Sequence, residues 1–144
     1  MLYMGRRRDS GEFGLLAARS SDGIAFEPMD LGGGGGRACN LIMTLKGGQE
    51  PLCVYEDALA APEERYRMIL TCLDGERFRV SGRVYVSADL VHWTMFPEDI
   101  PGWSCEPVGG AFYNDVRGCH TILHRQTWGN RCVGYRDTKD FRSY

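Results

Sequence analysis

SADLVHW, the stretch Ser87–Trp93, has two close counterparts elsewhere in the chain. SSDGIAF occupies Ser20–Phe26, and TKDFRSY occupies Thr138–Tyr144. Each copy consists of a hydroxyl residue, any residue, Asp, three further residues and an aromatic residue. A hydroxyl and an Asp at this spacing can accept hydrogen bonds from nearby backbone N–H groups and hold a tight turn. The repeated heptapeptide therefore predicts three turns of one kind, with Gly23 supplying the positive φ that such a turn favours.

The spacing of the copies indicates a repeat made of strands. Asp22, Asp89 and Asp140 are separated by 67 and 51 residues (22 to 89, and 89 to 140). Apolar, strand-like segments precede each copy, so the repeating unit holds several antiparallel strands over about 50 to 65 residues. Repeats of this length favour four-stranded propeller blades. We expect each turn to join the third strand of a blade to its outermost fourth strand, and the aromatic residue to open that strand and pack between sheets.

Counting strands divides the chain into about two and a half blades. Residues 1–31 form the end of one blade, residues 51–98 a complete blade, and residues 106–144 most of a third. The predicted fold class is therefore an all-β, partial β-propeller of antiparallel four-stranded blades. An open ring exposes sheet edges. We expect either a longer protein or association of copies through these edges as a homo-oligomer.

The local patterns agree with an all-β chain. Short segments rich in Val, Tyr, Phe and Thr alternate with Gly and Asp. DSGE, residues Asp9–Glu12, predicts a hairpin turn between two strands. Residues Asp57–Met68 read as a loop that can hold one helical turn near Pro62, because Pro fits the first position of a helix. The glycine run Gly32–Gly36 predicts a flexible connector.

The composition narrows the class of protein. Apolar residues make up 43% of the chain, which is typical of a globular domain. The net charge is −2 with both signs interspersed, and this argues against a nucleic-acid partner. The basic cluster Arg6–Arg8 is short and is interpreted as a solvated strand end. No apolar run approaches the roughly 18–20 residues of a membrane helix, so no membrane partner is expected.

The cysteines and the N-terminal residues indicate the cellular compartment in which the protein is expected to work. None of the six cysteines forms a CxxC pair, which argues against a zinc ribbon or a redox motif. The first ten residues lack the apolar core of a signal peptide. We therefore predict a cytoplasmic protein with reduced thiols.

Several motifs together resemble the five-bladed propeller glycosidase clan, which includes invertases, levansucrases, arabinanases and β-xylosidases. The residues that carry the resemblance are ARSSDGIAFEP (Ala18–Pro28), Asn40, PLCVYEDALAAPEERYRM (Pro51–Met68) and SADLVHW. They are similar to poorly characterised bacterial members of the clan, in which the pattern PxVxxDxxxPxxERYxM recurs. The resemblance covers nearly the whole chain, and the Pro-Glu-Glu-Arg-Tyr stretch is its most specific part.

The resemblance implies carboxylates that project into an axial funnel. Asp57 matches the second-blade carboxylate that orients the sugar and stabilises the transition state, with Glu56 as its alternative because neighbouring strand residues point oppositely. Glu106 matches the general acid of the third blade. Trp103 and Phe112 are expected to raise the pKa of Glu106 by limiting its solvation. Glycosidic bonds break with help from such an acid and a second carboxylate.

The first-blade nucleophile has no counterpart in this sequence, because its strand would precede Met1. The predicted function is a fragment of a glycoside hydrolase-like propeller that acts on or binds carbohydrate and is inactive alone. The alternative is a non-catalytic carbohydrate-binding or interaction module on the same scaffold. A sialidase-like propeller ranks lowest, because no copy of the turn has both the longer spacing to Trp and the Gly of that family's motif.

Three further residues are predicted to contact carbohydrate: Arg125, Trp128 and Asn40. Trp128 lies in a Trp-Gly-Asn turn, where it can stack on a sugar ring or wedge against the adjacent blade. His120 and His124 share one face of a predicted strand. They lack the Glu of the metalloprotease motif HExxH. No metal and no other cofactor is predicted.

Overall fold

A computed structural model gives the fold of the chain and describes residues 1–7, 10–32, 39–46, 49–74, 79–103, 106–126 and 132–143. Within these ranges, the side chains of residues 52, 74, 79, 106–108 and 126 fall outside the description. The chain divides into two compact units, Met1–Gly47 and Gly48–Tyr144. The described regular structure consists of antiparallel strands and one short 3-10 helix, which confirms the all-β class.

In its described residues the first unit contains four strands, and β2 is the central one, paired with the other three. β1 (Leu2–Arg6) and β2 (Phe13–Arg19) form the predicted hairpin. Two short strands, β3 (Glu27–Pro28) and β4 (Leu41–Thr44), both pair with the other edge of β2. Gly11 in the hairpin turn has a φ of 70°, as glycine allows. The sequence analysis missed β4, which lies beyond the segment 1–31 predicted for the first blade.

The second unit begins with a four-stranded sheet in which each strand pairs with the next along the chain. Its members are β5 (Gln49–Glu56), β6 (Tyr66–Asp74), β7 (Arg79–Ser87) and β8 (Thr94–Met95). A 3-10 helix, Pro62–Glu64, lies between β5 and β6 and begins with the proline. This confirms the predicted helical turn, because proline needs no hydrogen-bond partner for its nitrogen at a helix start.

A three-stranded sheet follows in the same unit. It contains β9 (Glu106–Asn114), β10 (Cys119–Gln126) and β11 (Cys132–Thr138), paired in that order. The β9–β10 pairing shifts register between His124 and Arg125. Near this bulge the backbones approach so closely that a Cβ at Gly109 would lie 1.8 Å from the Leu123 carbonyl oxygen. Only glycine fits there.

All three copies of the heptapeptide form the same hydrogen-bonded turn. The leading hydroxyl oxygen accepts from the backbone N–H groups two and three residues later, at 2.8–3.3 Å. The Asp Oδ1 atom accepts from the N–H groups two and three residues after the Asp, at 2.8–3.0 Å. In the first copy, the N–H groups of Ile24 and Ala25 lower the pKa of Asp22 to about 2. The predicted turn chemistry is confirmed.

The residue after each Asp adopts a left-handed backbone conformation. Its φ is 74° at Gly23, 67° at Leu90 and 61° at Phe141. The first two turns lead into β3 and β8, the predicted fourth strands. Phe26 and Trp93 directly precede these strands. Phe26 is exposed and so differs from the predicted packing between sheets, whereas Trp93 is half-buried and its indole N–H donates to the Leu90 carbonyl at 3.0 Å. These two aromatic residues therefore flank the turn, and that of the third copy, Tyr144, lies outside the described residues.

The two sheets of the second unit pack face to face. Ile69 of β6 and Val84 of β7 contact a cluster that includes Ile122 of β10 and Phe141. Alternate residues of a strand share one face. The face of β6 that carries Ile69 therefore also carries Arg67 and Thr71, and the face of β10 that carries Ile122 also carries His120 and His124. An apolar middle layer thus separates two polar ends of the interface.

Candidate functional site

Asp57 lies directly after β5 and is only 3% exposed. Its Oδ1 atom accepts from the Leu59 N–H at 3.2 Å. Its Oδ2 atom accepts from Arg67 Nε at 2.8 Å, and Arg67 is also buried. Both carboxylate oxygens are therefore engaged within the protein.

His120 extends this network from β10. Its Nε2 atom lies 3.6 Å from Asp57 Oδ2, and its Nδ1 atom lies 3.0 Å from the Tyr55 hydroxyl. The ring also packs against Phe141, with centroids 4.7 Å apart. Burial lowers the pKa of His120, the Arg67 charge acts in the same direction, and Asp57 opposes it. A neutral His120 whose Nδ1 accepts from Tyr55 satisfies this geometry.

The network connects β5, β6 and β10 at one polar end of the sheet interface. The order hydroxyl, imidazole, carboxylate resembles an activated-nucleophile arrangement. Here the carboxylate is held by the Arg67 guanidinium, which competes with the imidazole for Oδ2. Asp57 is only 3% exposed and its carboxylate is already paired with Arg67, so it presents little surface to a sugar hydroxyl.

The second predicted catalytic residue, Glu106, stands elsewhere. It begins β9, and its Cα atom is paired with that of Arg125 on β10. The structure thus brings a predicted acid next to a predicted carbohydrate-binding residue, although the Glu106 side chain lies outside the description. Arg125 is five residues further along β10 than His120, which corresponds to about 16 Å in a strand.

This offset separates the two predicted catalytic residues. Asp57 lies beside His120, and the backbone of Glu106 lies beside Arg125. Carboxyl pairs that cleave glycosides are about 5 Å apart in retaining enzymes and about 6.5–9.5 Å apart in inverting ones. Asp57 and the backbone of Glu106 therefore lie at opposite ends of β10, about 16 Å apart along the strand, which exceeds the separation of either kind of pair.

The strand registers identify a carboxylate that the sequence analysis missed, Glu50. Glu50 pairs with Thr71, which in turn pairs with Gly82 of β7. In the other sheet, Glu106 pairs with Arg125, which in turn pairs with Val133 of β11. The two glutamates therefore occupy equivalent positions, because Gly82 and Val133 each lie five residues before the hydroxyl residue of a turn.

The sequence carries a signal for this equivalence. Glu50 begins EPL and Glu106 begins EPV, and each Glu-Pro pair lies at the start of a first strand. β5 and β9 lie against each other, and packed sheets are about 10 Å apart. Equivalent positions on the two strands are thus separated by about that distance. The side chain of Glu50 is exposed.

Several buried polar groups without hydrogen-bond partners in the described part of the chain lie at the end of the interface that carries Glu50. The side-chain polar atoms of Thr71, Trp103 and His124 are buried and have no hydrogen-bond partner in the described part of the chain. The Trp103 ring lies on Gly82, where a Cβ would come within 2.6 Å of it, and its centroid is 6.2 Å from that of His124. Burial, followed by the Arg136 charge, lowers the pKa of His124. Buried polar groups normally have hydrogen-bond partners, so the polar atoms at this end can still form hydrogen bonds.

The other predicted residues have separate surroundings. Asn40 lies in the first unit, where its Nδ2 donates to the Tyr3 hydroxyl at 2.9 Å and to the Ala17 carbonyl at 3.3 Å. These bonds give Asn40 a structural role. Trp128 lies outside the described residues. Phe112 is half-exposed on the sheet face that points away from β5–β8.

His120 and His124 share one face of β10, as predicted. Their rings lie in different layers, the first beside Phe141 and the second beside Trp103. Among the residues that the structure describes, no group of three or more potential metal ligands comes together.

Two shallow grooves border the repeated turns. One of about 330 Å³ is lined by Ser20 and its neighbours, and one of about 380 Å³ is lined by residues around Thr138. Neither groove contains Asp57 or Arg125 in its lining.

Comparison with known proteins returns nothing. The chain matches no family model, no curated protein and no solved structure. The likeness to propeller glycosidases therefore rests on the quoted motifs. Across the described ranges, the chain forms no helix of the length and apolar character that a membrane crossing needs.

Proposed function

We propose that this chain is a propeller-type scaffold related to the propeller glycosidases, that it binds carbohydrate, and that Asp57 does not act on a substrate. In this proposal the sheets are successive blades around an axis, and β5 and β9 are innermost strands. The shared turns and the four-stranded meander β5–β8 support it, as does the packing of β5–β8 against β9–β11.

The observation that carries the proposal is the placement of the carboxylates. Asp57 is buried and held by Arg67, about 16 Å along β10 from the backbone of Glu106. An arrangement of this kind can stabilise the scaffold, but it does not bring an acid and a base to one glycosidic bond. Binding without hydrolysis by this pair is the function that fits.

The proposed carbohydrate site lies at the end of the sheets that carries Glu50, Glu106 and Arg125. Charged and planar polar groups bind the hydroxyls of a sugar by hydrogen bonds and fix its orientation. The exposed Glu50 side chain can accept such bonds, and the guanidinium of Arg125 is a fork of donors. The unsatisfied polar atoms of Thr71 and His124 lie just behind this surface.

A glycan-binding screen with matched variants tests the site. We expect the wild-type protein to bind at least one glycan, and the Glu50→Gln variant to bind it at least about tenfold more weakly. A hydrogen bond to a charged group contributes about 1.5–3 kcal/mol, and about 1.4 kcal/mol is a factor of ten in affinity. Glu56→Gln is the control, because Glu56 is an exposed carboxylate near Asp57 at the other end of β5. Equal losses in the two variants, or no glycan bound by the wild type, would contradict the proposal.

A second function follows from the equivalence of Glu50 and Glu106. Two carboxylates about 10 Å apart on neighbouring strands approach the separation of an inverting pair. Aryl-glycoside hydrolysis decides between the two functions. We expect no turnover by the wild type. Turnover that disappears in Glu50→Gln and in Glu106→Gln would establish the second function, and turnover that disappears in a folded Asp57→Asn variant would overturn our assignment of Asp57.

We also propose that the protein works in the cytoplasm. The five cysteines within the described ranges are free thiols. Burial raises the pKa of Cys53 to about 11, so its reactive thiolate is suppressed. Labelling of intact cells with a thiol reagent, followed by mass measurement, would show reduced cysteines if the compartment is correct and disulfides if it is not.

A further inference from the structure

One face of the β9–β11 sheet exposes four apolar side chains. Phe112, Leu123, Val133 and Tyr135 are 45%, 36%, 77% and 60% exposed. Leu123 pairs with Tyr135, and the neighbouring pairs on these strands place the other two side chains on the same side. We call these four residues the outer β9–β11 face. The opposite side of the sheet carries Ile122 and packs on β5–β8.

In the repeat, the outer β9–β11 face is equivalent to the buried face of the β5–β8 sheet. Val84 and Tyr135 each lie three residues before the hydroxyl residue of their turn, and their cross-strand partners are Ile69 and Leu123. Ile69 and Val84 are 0% and 1% exposed because β9–β11 covers them. The equivalent pair in the next sheet is open to solvent.

We propose that the outer β9–β11 face is the docking surface for a second copy of this chain. The proposal uses the scaffold part of the proposed function and does not depend on carbohydrate binding. Within the chain, the equivalent face of β5–β8 is covered by the next sheet of the repeat, β9–β11. A second copy of the chain carries the same sheets and can supply one.

One pair of opposite charges lies beside the outer β9–β11 face, at the end that carries Asp137. Asp137, at one end, is paired with Arg117 at 2.5 Å and accepts from the Thr121 hydroxyl at 2.7 Å. The Arg117 guanidinium in turn lies over the Tyr135 ring, 5.5 Å from its centroid. The opposite charges of Asp137 and Arg117 are thus paired within one copy. Contiguous apolar surface of this kind commonly marks an interaction site.

Sedimentation velocity over about a hundredfold range of protein concentration tests the proposal, because a small, three-stranded interface is expected to be weak and concentration-dependent. A reductant is present throughout, since Cys132 is exposed and could form an intermolecular disulfide. The test variant combines Val133→Lys and Tyr135→Glu. The control is Val116→Lys, which changes a 97% exposed valine in the turn between β9 and β10.

We expect the wild type and the Val116→Lys variant to associate, and the double variant to dissociate at least about tenfold more readily, because charged groups resist burial in an apolar interface. Melting curves check that all three proteins remain folded. A wild type that is monomeric throughout, or a double variant that associates like the wild type, would overturn the proposal. A monomeric wild type whose glycan binding is lost in the double variant would assign the face to carbohydrate instead. Loss of glycan binding in Glu50→Gln alone leaves this inference untouched.

Discussion

The Nε atom of Arg67 lies 2.8 Å from Oδ2 of Asp57, and the two side chains are only 10% and 4% exposed. A buried ion pair of this kind costs desolvation energy and adds little net stability over an apolar pair. Removing one partner is a different matter, since it leaves the other charge buried and unpaired. The pair therefore joins the end of β5 to β6, and His120 of β10 lies 3.6 Å from the same Asp57 oxygen.

We predict that Asp57→Asn lowers the free energy of unfolding by about 3–5 kcal/mol, because the Arg67 charge loses its partner. Urea denaturation monitored by circular dichroism measures this change. Glu56→Gln serves as control. Its ion pair with Arg65 at 2.7 Å is half-exposed, and such pairs contribute about 0–1 kcal/mol. Similar losses in both variants would show that burial of Asp57 has no energetic weight.

We predict that stability falls as the pH is lowered from 7 to 5. Burial lowers the pKa values of His120 and His124 in the folded protein. Below the unfolded value of about 6.5, the unfolded chain takes up protons that the folded chain does not. The free energy of unfolding then falls with decreasing pH, by up to about 1.4 kcal/mol per pH unit for each histidine.

Urea denaturation at a series of pH values measures this slope. His124→Leu should reduce it, since this variant removes one of the two histidines and both of its ring nitrogens lack partners in the described part of the chain. A slope that is the same in His124→Leu as in the wild type would assign the pH dependence to other groups.

We predict that Leu90→Gly stabilises the protein by up to about 1 kcal/mol. Leu90 has a φ of 67°, and a left-handed residue other than glycine costs about 1–2 kcal/mol. The equivalent Phe141→Gly should instead destabilise by about 3 kcal/mol or more, because Phe141 is buried in the core cluster. Thermal melting of the two variants measures the contrast, and a shift of the same sign in both would contradict this account of the turns.

We predict that Thr71→Val leaves stability unchanged or raises it slightly. The Thr71 hydroxyl is buried without a partner, and an apolar group of the same shape removes that cost. Thr138→Val is the matched control. Its hydroxyl accepts from two backbone N–H groups in the third turn, so its loss should cost about 1–3 kcal/mol. Chemical denaturation of both variants checks the difference.

The elements that could be predicted from the sequence depend on local chemistry. The turns at Ser20, Ser87 and Thr138 are held by bonds within a few residues, and the hairpin at Gly11 needs only a positive φ. β4 was missed because its four residues gain a strand conformation only from pairing with β2, about 27 residues earlier in the sequence.

The candidate site was harder to predict, because its geometry is non-local. Asp57 and Glu106 were chosen one at a time from motifs, and nothing in either motif states their distance. That distance depends on where each residue lies along β10. Glu106 is placed by the register of β9 on β10, and Asp57 by its contact with His120. Glu50 could have been found by aligning its Glu-Pro pair with that of Glu106.

The layered interface between the two sheets also limits how they can slide. Arg67, Ile69 and Thr71 face a strand that presents His120, Ile122 and His124 in the same order. If one sheet slid along the other by two residues, about 7 Å, the Arg67 charge would lie against Ile122, where apolar surroundings leave it without a partner. The polar layers thus set the position of one sheet along the other. A sequence without them could keep an apolar core and still pack its two sheets in a shifted alignment.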